Sequence, residues 1–77
     1  MNNRRRELLN EGINLLDQVS DIISEALEQE TDALDNMPEN LQMSDRYENM
    51  ESAISHLEDA VYHLDEAKEQ IESARDV

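Results

Sequence analysis

The chain has 77 residues, of which 20 are Asp or Glu and 6 are Lys or Arg, and its formal net charge is -14. This length allows one domain with a small core, and a chain with no Cys, Phe or Trp, one Gly and one Pro is unlike disulfide-rich or sheet-rich folds. A surface with this much negative charge repels the phosphates of nucleic acids. No apolar run in the sequence is long enough to span a bilayer. We therefore expect a cytoplasmic protein that binds neither nucleic acid nor a membrane directly.

The first six residues are polar and basic, with Arg4, Arg5 and Arg6 in a row. The start of a helix favours acidic residues, because its unpaired N–H groups carry partial positive charge. Two interpretations of this segment remain open. It is either a frayed, solvated end or an arm that folds onto an acidic neighbour.

Helix one is predicted over residues 6–35, where apolar residues recur at spacings of three and four. In a heptad frame with Leu9, Leu16 and Ile23 at position a, three further columns are also apolar. They are d (Val19, Ala26, Ala33), g (Leu8, Leu15, Ile22) and e (Ile13, Leu27, Leu34). One antiparallel neighbour cannot cover so wide a stripe, so helix one should contact at least two other helices.

Two residues interrupt this stripe. Gly12 weakens a helix interior by up to about 1 kcal/mol relative to Ala, and it either allows another backbone to approach closely or marks a weak first turn. Glu30 falls at an a position one turn before the predicted hinge. We interpret it as partly solvated or paired there.

The hinge is predicted over residues 36–44 and contains Pro38, the only proline. It is longer than the two to five residues or so that a turn between helices needs, and it includes Met37, Leu41 and Met43. Two interpretations remain open. The hinge is either an ordered cap with an apolar plug at the end of the bundle or a partner-binding loop, for which the candidate residues are Asn36, Glu39, Asn40 and Gln42.

Helix two is predicted over residues 45–75, with Ser44 or Asp45 as its N-cap. Its sequence is a nearly literal heptad repeat, which indicates coiled-coil packing. Position d holds Met50, Leu57, Leu64 and Ile71, position a holds Tyr47, Ile54 and Val61, and position g holds Ala53, Ala60, Ala67 and Ala74. The alanine column allows close packing of a neighbouring helix. Lys68 is the one interruption of the a column.

Together these patterns predict one all-α domain over residues 1–77, a two-helix antiparallel hairpin that resembles a coiled coil. An isolated hairpin would leave either Leu8, Leu15 and Ile22 or Ile13, Leu27 and Leu34 in water. We therefore expect a homodimer that forms a four-helix bundle. The predicted core and dimer residues are Leu9, Leu16, Val19, Ile23, Leu27, Leu34, Ile54, Leu57, Val61, Leu64 and Ile71.

No arrangement of residues predicts catalysis or cofactor binding, because the chain lacks Cys, a Gly-rich phosphate loop and a Ser-His-acid order on a fold that could build an oxyanion hole. The weak metal candidates His56, Asp59, His63 and Glu66 share one helical face. The two His are seven residues apart, about 10.5 Å along the axis, so one ion cannot bind both. We interpret all four as boundary residues. Tyr62 is predicted to be a surface aromatic residue and a candidate partner contact.

The acidic residues are also dense along the chain, with 11 between Glu7 and Asp45 and no basic residue among them. A dimer with twice the charge of -14, spread over about 45 Å, would carry one charge per about 1.6 Å, close to the value of about 1.7 Å for duplex DNA. This match permits the hypothesis of DNA mimicry. The alternative is that the charge only keeps a small coiled coil soluble.

The hinge carries a motif that reads Glu28-Gln29-Glu30, then Asp35-Asn36-Met37-Pro38-Glu39-Asn40-Leu41-Gln42 and Ser44. From residue 28 to residue 64 the chain resembles a group of short acidic proteins of Gram-positive bacteria and their phages and prophages. This resemblance implies a phage-related origin, hence host-cell cytoplasm, and favours a non-catalytic modulator or inhibitor of a host protein, including a defence or nucleic-acid-processing protein. The alternative is an assembly adaptor that acts through coiled-coil self-association.

Overall fold

In the computed structural model, which describes residues 1–77, the chain forms a helical hairpin. Helix α1 spans Asn3–Asp35, a short 3-10 turn spans Glu39–Leu41, and helix α2 spans Asp45–Arg75. The two helices pack against each other in opposite directions, so the prediction of an all-α, two-helix hairpin is confirmed. The hairpin is a rod with dimensions of 60 × 15 × 12 Å. Neither helix is long and apolar enough to cross a membrane.

Helix α1 begins three residues before its predicted start. The Asn2 side chain accepts a hydrogen bond from the Arg5 backbone N–H at 2.9 Å and so caps the first turn. Arg6 donates to the backbone oxygens of Arg75 and Val77, both at 3.1 Å. These carbonyl groups lie at the negative end of the α2 dipole, where a cation is favourable. The basic start is therefore helical rather than frayed, although Arg4 and Arg5 are exposed to solvent as that interpretation expected.

The contact between the helices is a narrow seam of half-buried side chains. On α1 the seam follows every third or fourth residue from Leu9 to Leu34, and on α2 from Tyr47 to Ile71. Only two side chains are buried, Ile13 in the seam at 7% exposure and Met37 in the hinge at 9% exposure. Ile13 is not among the predicted core residues. Those that do lie on the seam are half-buried: Leu9, Leu16, Ile23, Leu27, Leu34, Ile54, Leu57, Val61, Leu64 and Ile71.

The predicted heptad frame of α1 is wrong in one respect. The expected d column, Val19 with Ala26 and Ala33, is exposed, and Val19 does not belong to the core of the hairpin. The seam instead combines the expected a column with the e column that contains Ile13. Both choices have apolar residues at spacings of three and four, so the period of α1 alone does not distinguish them. The seam formed by columns a and e also includes Ser20 and Glu30, and both residues are half-buried there.

The hinge is ordered by its own backbone hydrogen bonds. Helix α1 ends where the Met37 N–H donates to the Leu34 carbonyl at 3.1 Å, and Pro38 then turns the chain because it cannot continue the helix. The Gln42 side chain donates to the Met37 carbonyl at 3.4 Å. Ser44 caps α2 by accepting a hydrogen bond from the Tyr47 N–H at 3.3 Å.

The predicted apolar plug is only partly formed. Met37 is buried beneath the hinge and closes this end of the seam. Met43 is 93% exposed and Leu41 is also exposed, so the expectation that these two residues join the plug is wrong. The 3-10 turn and the turn after it carry both side chains away from the helices. The cap interpretation therefore holds for Met37 and Gln42 only.

Candidate interaction surfaces

Three polar contacts across the hairpin set the register of the two helices. The Lys68 ammonium lies 2.8 Å from an Asp17 carboxylate oxygen. Near the open end, the Arg75 guanidinium donates to the Asn10 side-chain oxygen at 3.0 Å, and Arg6 donates to the Arg75 carbonyl. Because both helices rise by the same amount per residue, residues whose numbers add to about 85 lie at the same level along the rod.

The pairing with Asp17 resolves the predicted interruption at Lys68. The hydrogen bond and the negative charge of Asp17 raise the Lys68 pKa above its ordinary value of 10.5. At the open end, the Arg75 guanidinium lies 2.9 Å from an Asp76 carboxylate oxygen. This contact lowers the pKa of the Asp76 carboxyl and raises that of Arg75. Five of the six basic residues thus lie at the open end or pair across the hairpin, and Arg46 at the start of α2 is exposed.

The register also decides which columns share a side of the rod. Two antiparallel helices side by side are related by an approximate two-fold axis perpendicular to the plane that contains them. This rotation keeps each side of the plane unchanged, so the residues that flank the seam in the same rotational sense on α1 and on α2 lie on the same side of the rod. Asn10 and Asp17 lie on one side. The opposite side, which we call the neutral face, comprises Leu8, Gly12, Leu15, Val19, Ile22, Ala26, Gln29 and Ala33 of α1 with Asn49, Ala53, His56, Ala60, His63, Ala67, Gln70 and Ala74 of α2.

The neutral face contains no Asp, Glu, Lys or Arg, although these residues make up 34% of the chain. Its large apolar side chains are exposed, with Leu15 at 54% and Ile22 at 64% exposure. Leu8 and Val19 are exposed beside them. On α2 the alanines form a low strip next to the seam, and the outer row holds the exposed polar residues Asn49, His56, His63 and Gln70. Four large apolar side chains in one row are more than isolated surface residues. This row is the set that the sequence predicted one hairpin would leave in water, with Val19 added.

The acidic residues occupy the rest of the hairpin surface, and most of them face water. Glu30 and Glu72 are the exceptions, because both are half-buried, and neither forms an ion pair. The rod is longer than the predicted 45 Å, since α1 has 33 residues and the hinge adds to the length. A dimer with twice the charge of -14 over 60 Å carries one charge per about 2.1 Å, less than the duplex value of about 1.7 Å.

The candidate partner-binding residues lie in two separate places. Asn36, Glu39, Asn40 and Gln42 are exposed together at the hinge end of the rod. Tyr62 is 60% exposed in the middle of α2, about 25 Å from the start of that helix. The hinge and Tyr62 therefore cannot belong to one small contact site.

Tyr62 is part of a surface group with two of the weak metal candidates. Its ring lies edge-on to the His63 ring at 5.6 Å, and the His63 Nδ1 atom is 3.8 Å from a Glu66 carboxylate oxygen. A hydrogen bond with Glu66 raises the Tyr62 pKa. No three His, Asp or Glu side chains come together in a way that could hold a metal ion, so His56, Asp59, His63 and Glu66 do not form one site.

The surface of the rod has no pocket, so a ligand of this hairpin would have to bind a convex or flat face. Sequence reasoning identified Leu8, Leu15 and Ile22 as residues that needed a second neighbour. It did not find the neutral face as a surface, because that required the register between the helices. No known protein family, curated protein or solved structure matches this chain.

Proposed function

We propose that this hairpin is a non-catalytic protein-binding module that acts as a homodimer and modulates or inhibits a host protein with a basic, nucleic-acid-binding groove. The separation of the neutral face from the acidic surface carries the proposal, because it gives the chain one side for self-association and another for a basic partner. The resemblance at the hinge supports a phage-related origin, with action in the host cytoplasm, as part of this proposal.

The acidic surface supports DNA mimicry in an approximate form. Its charge density in a dimer is about four fifths of that of a duplex, and the fixed carboxylates stand on rigid helices. Basic grooves that bind phosphates would therefore attract it over the first Debye length or so, about 10 Å in 0.1 M salt. The hinge residues Asn36, Glu39 and Asn40 are exposed, so their side chains could form specific hydrogen bonds with such a groove in addition to the charge attraction.

The proposal predicts competition with DNA. A lysate of a Gram-positive bacterium is bound to immobilised duplex DNA, and purified hairpin is added at constant salt. We expect release of one or a few defined proteins, which polyglutamate of the same total charge does not release.

Matched variants test the role of the carboxylates. Glu25, Glu28, Glu48 and Glu51 are exposed on the acidic surface. Replacing all four with Gln should abolish the release, and replacing them with Asp, which keeps the charge, should preserve it. Equal release by the Gln variant, or no release by the wild type, would refute the mimicry.

The second candidate is an assembly adaptor whose partner is another coiled coil or itself, and the exposed apolar row on the neutral face favours it. Salt separates the two candidates. A charge-mimic complex should weaken steeply between about 50 and 200 mM salt, whereas apolar helix pairing should change little over this range.

A further inference from the structure

The hairpin exposes more surface than a compact protein of its size. Its solvent-accessible area is 5834 Å², whereas a compact monomer of 8.9 kDa exposes about 4,800 Å². The excess of about 1,000 Å² exceeds the area of about 800 Å² per partner that stable interfaces bury. One side of the rod, 60 Å long and 15 Å wide, offers about 900 Å² for such an interface.

The neutral face is the side on which a second copy fits. Each copy carries a net charge of -14, and any other side would bring carboxylates of the two copies together. On the neutral face the approach opposes no like charges. The exposed side chains of Leu15, Val19 and Ile22 offer an apolar surface there, and Ala60 and Ala67 let a neighbouring helix lie close.

Charge is also unequal along the rod, and this decides the relative direction of the two copies. The hinge half, residues 21–63, holds 12 acidic residues and 1 basic residue, a net charge of -11. The open half, residues 1–20 and 64–77, holds 8 acidic and 5 basic residues, a net charge of -3. Two copies with their hinges at the same end would place both hinge halves side by side. With the hinges at opposite ends, each hinge half lies beside an open half.

We infer that two copies pack through their neutral faces with their hinges at opposite ends of an antiparallel four-helix rod. The two-fold axis lies in the interface across the rod, so α1 packs on α1 of the second copy and α2 on α2. The centres of the two hinge halves are then about 30 Å apart, roughly three Debye lengths in 0.1 M salt. This inference rests on the homodimer of the proposed function, but it does not depend on the target or on DNA mimicry.

The distance between the two hinges tests this arrangement. The chain has no Cys, so Met43→Cys, at a position that is 93% exposed, can carry a single spin label on each copy. Pulsed dipolar spectroscopy should then give about 50 to 60 Å between the two labels, close to the rod length of 60 Å. A distance below about 25 Å would place the hinges at the same end and overturn the inference.

A control label at Gln18→Cys is exposed near the middle of the rod and outside the neutral face. It should give a short distance in either arrangement, about 15 Å when α1 packs on α1 and about 30 Å when the hinges lie at the same end. Either value shows that the labelled protein is a dimer. If neither label gives a dipolar signal and the labelled protein sediments as a monomer, the inference is also overturned. Competition with DNA by such a monomer would show that the mimicry survives without the dimer, so the two failures are distinguishable.

Discussion

Substitution of both Leu15 and Ile22 with Ser should raise the dissociation constant of the dimer by about a thousandfold. Full burial of a Leu or Ile side chain contributes about 1.5 to 3 kcal/mol. In the free hairpin 54% of Leu15 and 64% of Ile22 remain exposed, so covering the exposed part contributes about 1 kcal/mol for each side chain. A symmetric dimer covers each side chain twice. The double variant therefore loses about 4 kcal/mol, or about three powers of ten in affinity.

Sedimentation equilibrium over a range of protein concentrations measures this loss, and circular dichroism at the same concentrations reports whether helix is kept. The matched control replaces Glu11 and Gln18 with Ser, because both are exposed on α1 away from the neutral face and the change costs at least as much in helix propensity. The control should dimerise as the wild type does. If the Leu15 and Ile22 variant also dimerises as tightly as the wild type, the neutral face is not the interface.

Three further substitutions test the hairpin itself. Met37→Ala should lower the free energy of unfolding by about 2 kcal/mol, because Met37 is buried, whereas Met43→Ala at a 93% exposed position should leave it unchanged; equal losses in thermal melting would contradict the cap. Gly12→Ala should raise the melting temperature, since an added Cβ meets no atom within 4 Å and Ala favours a helix by up to about 1 kcal/mol. Pairing with Asp17 raises the Lys68 pKa, so its contribution to stability is complete below pH 10.5 and is lost as pH rises through the folded-state pKa. The melting temperature of the wild type should therefore fall relative to Lys68→Met above pH 10.5, and a constant difference would refute the pairing.

The sequence was sufficient for the hairpin because its signals are local. The apolar period extends along each helix, Pro38 ends the first, and Ser44 caps the second. The seam of α2 was also predictable, since its heptads repeat almost literally. These features depend on residues within about a turn of each other, so no knowledge of the partner helix was needed.

The frame of α1 depends on distant residues and was predicted wrongly for that reason. Leu9 and Leu16 belong to both frames, which differ in whether the column of Val19 or the column of Ile13 completes the seam, and both columns are apolar at helical spacing. The partner helix and the length of the hinge decide between them. The contacts of Arg6 with the end of α2 likewise require the fold, because they join residues about 70 positions apart.

The sedimentation mass of the wild-type protein at micromolar concentration, measured in 50 and 500 mM salt, tests the central claim that a second copy covers the neutral face. We expect twice the chain mass of 8.9 kDa at both salt concentrations, because apolar burial holds the dimer and salt only screens the repulsion between copies. A helical protein that sediments as a monomer of 8.9 kDa in both would contradict the claim.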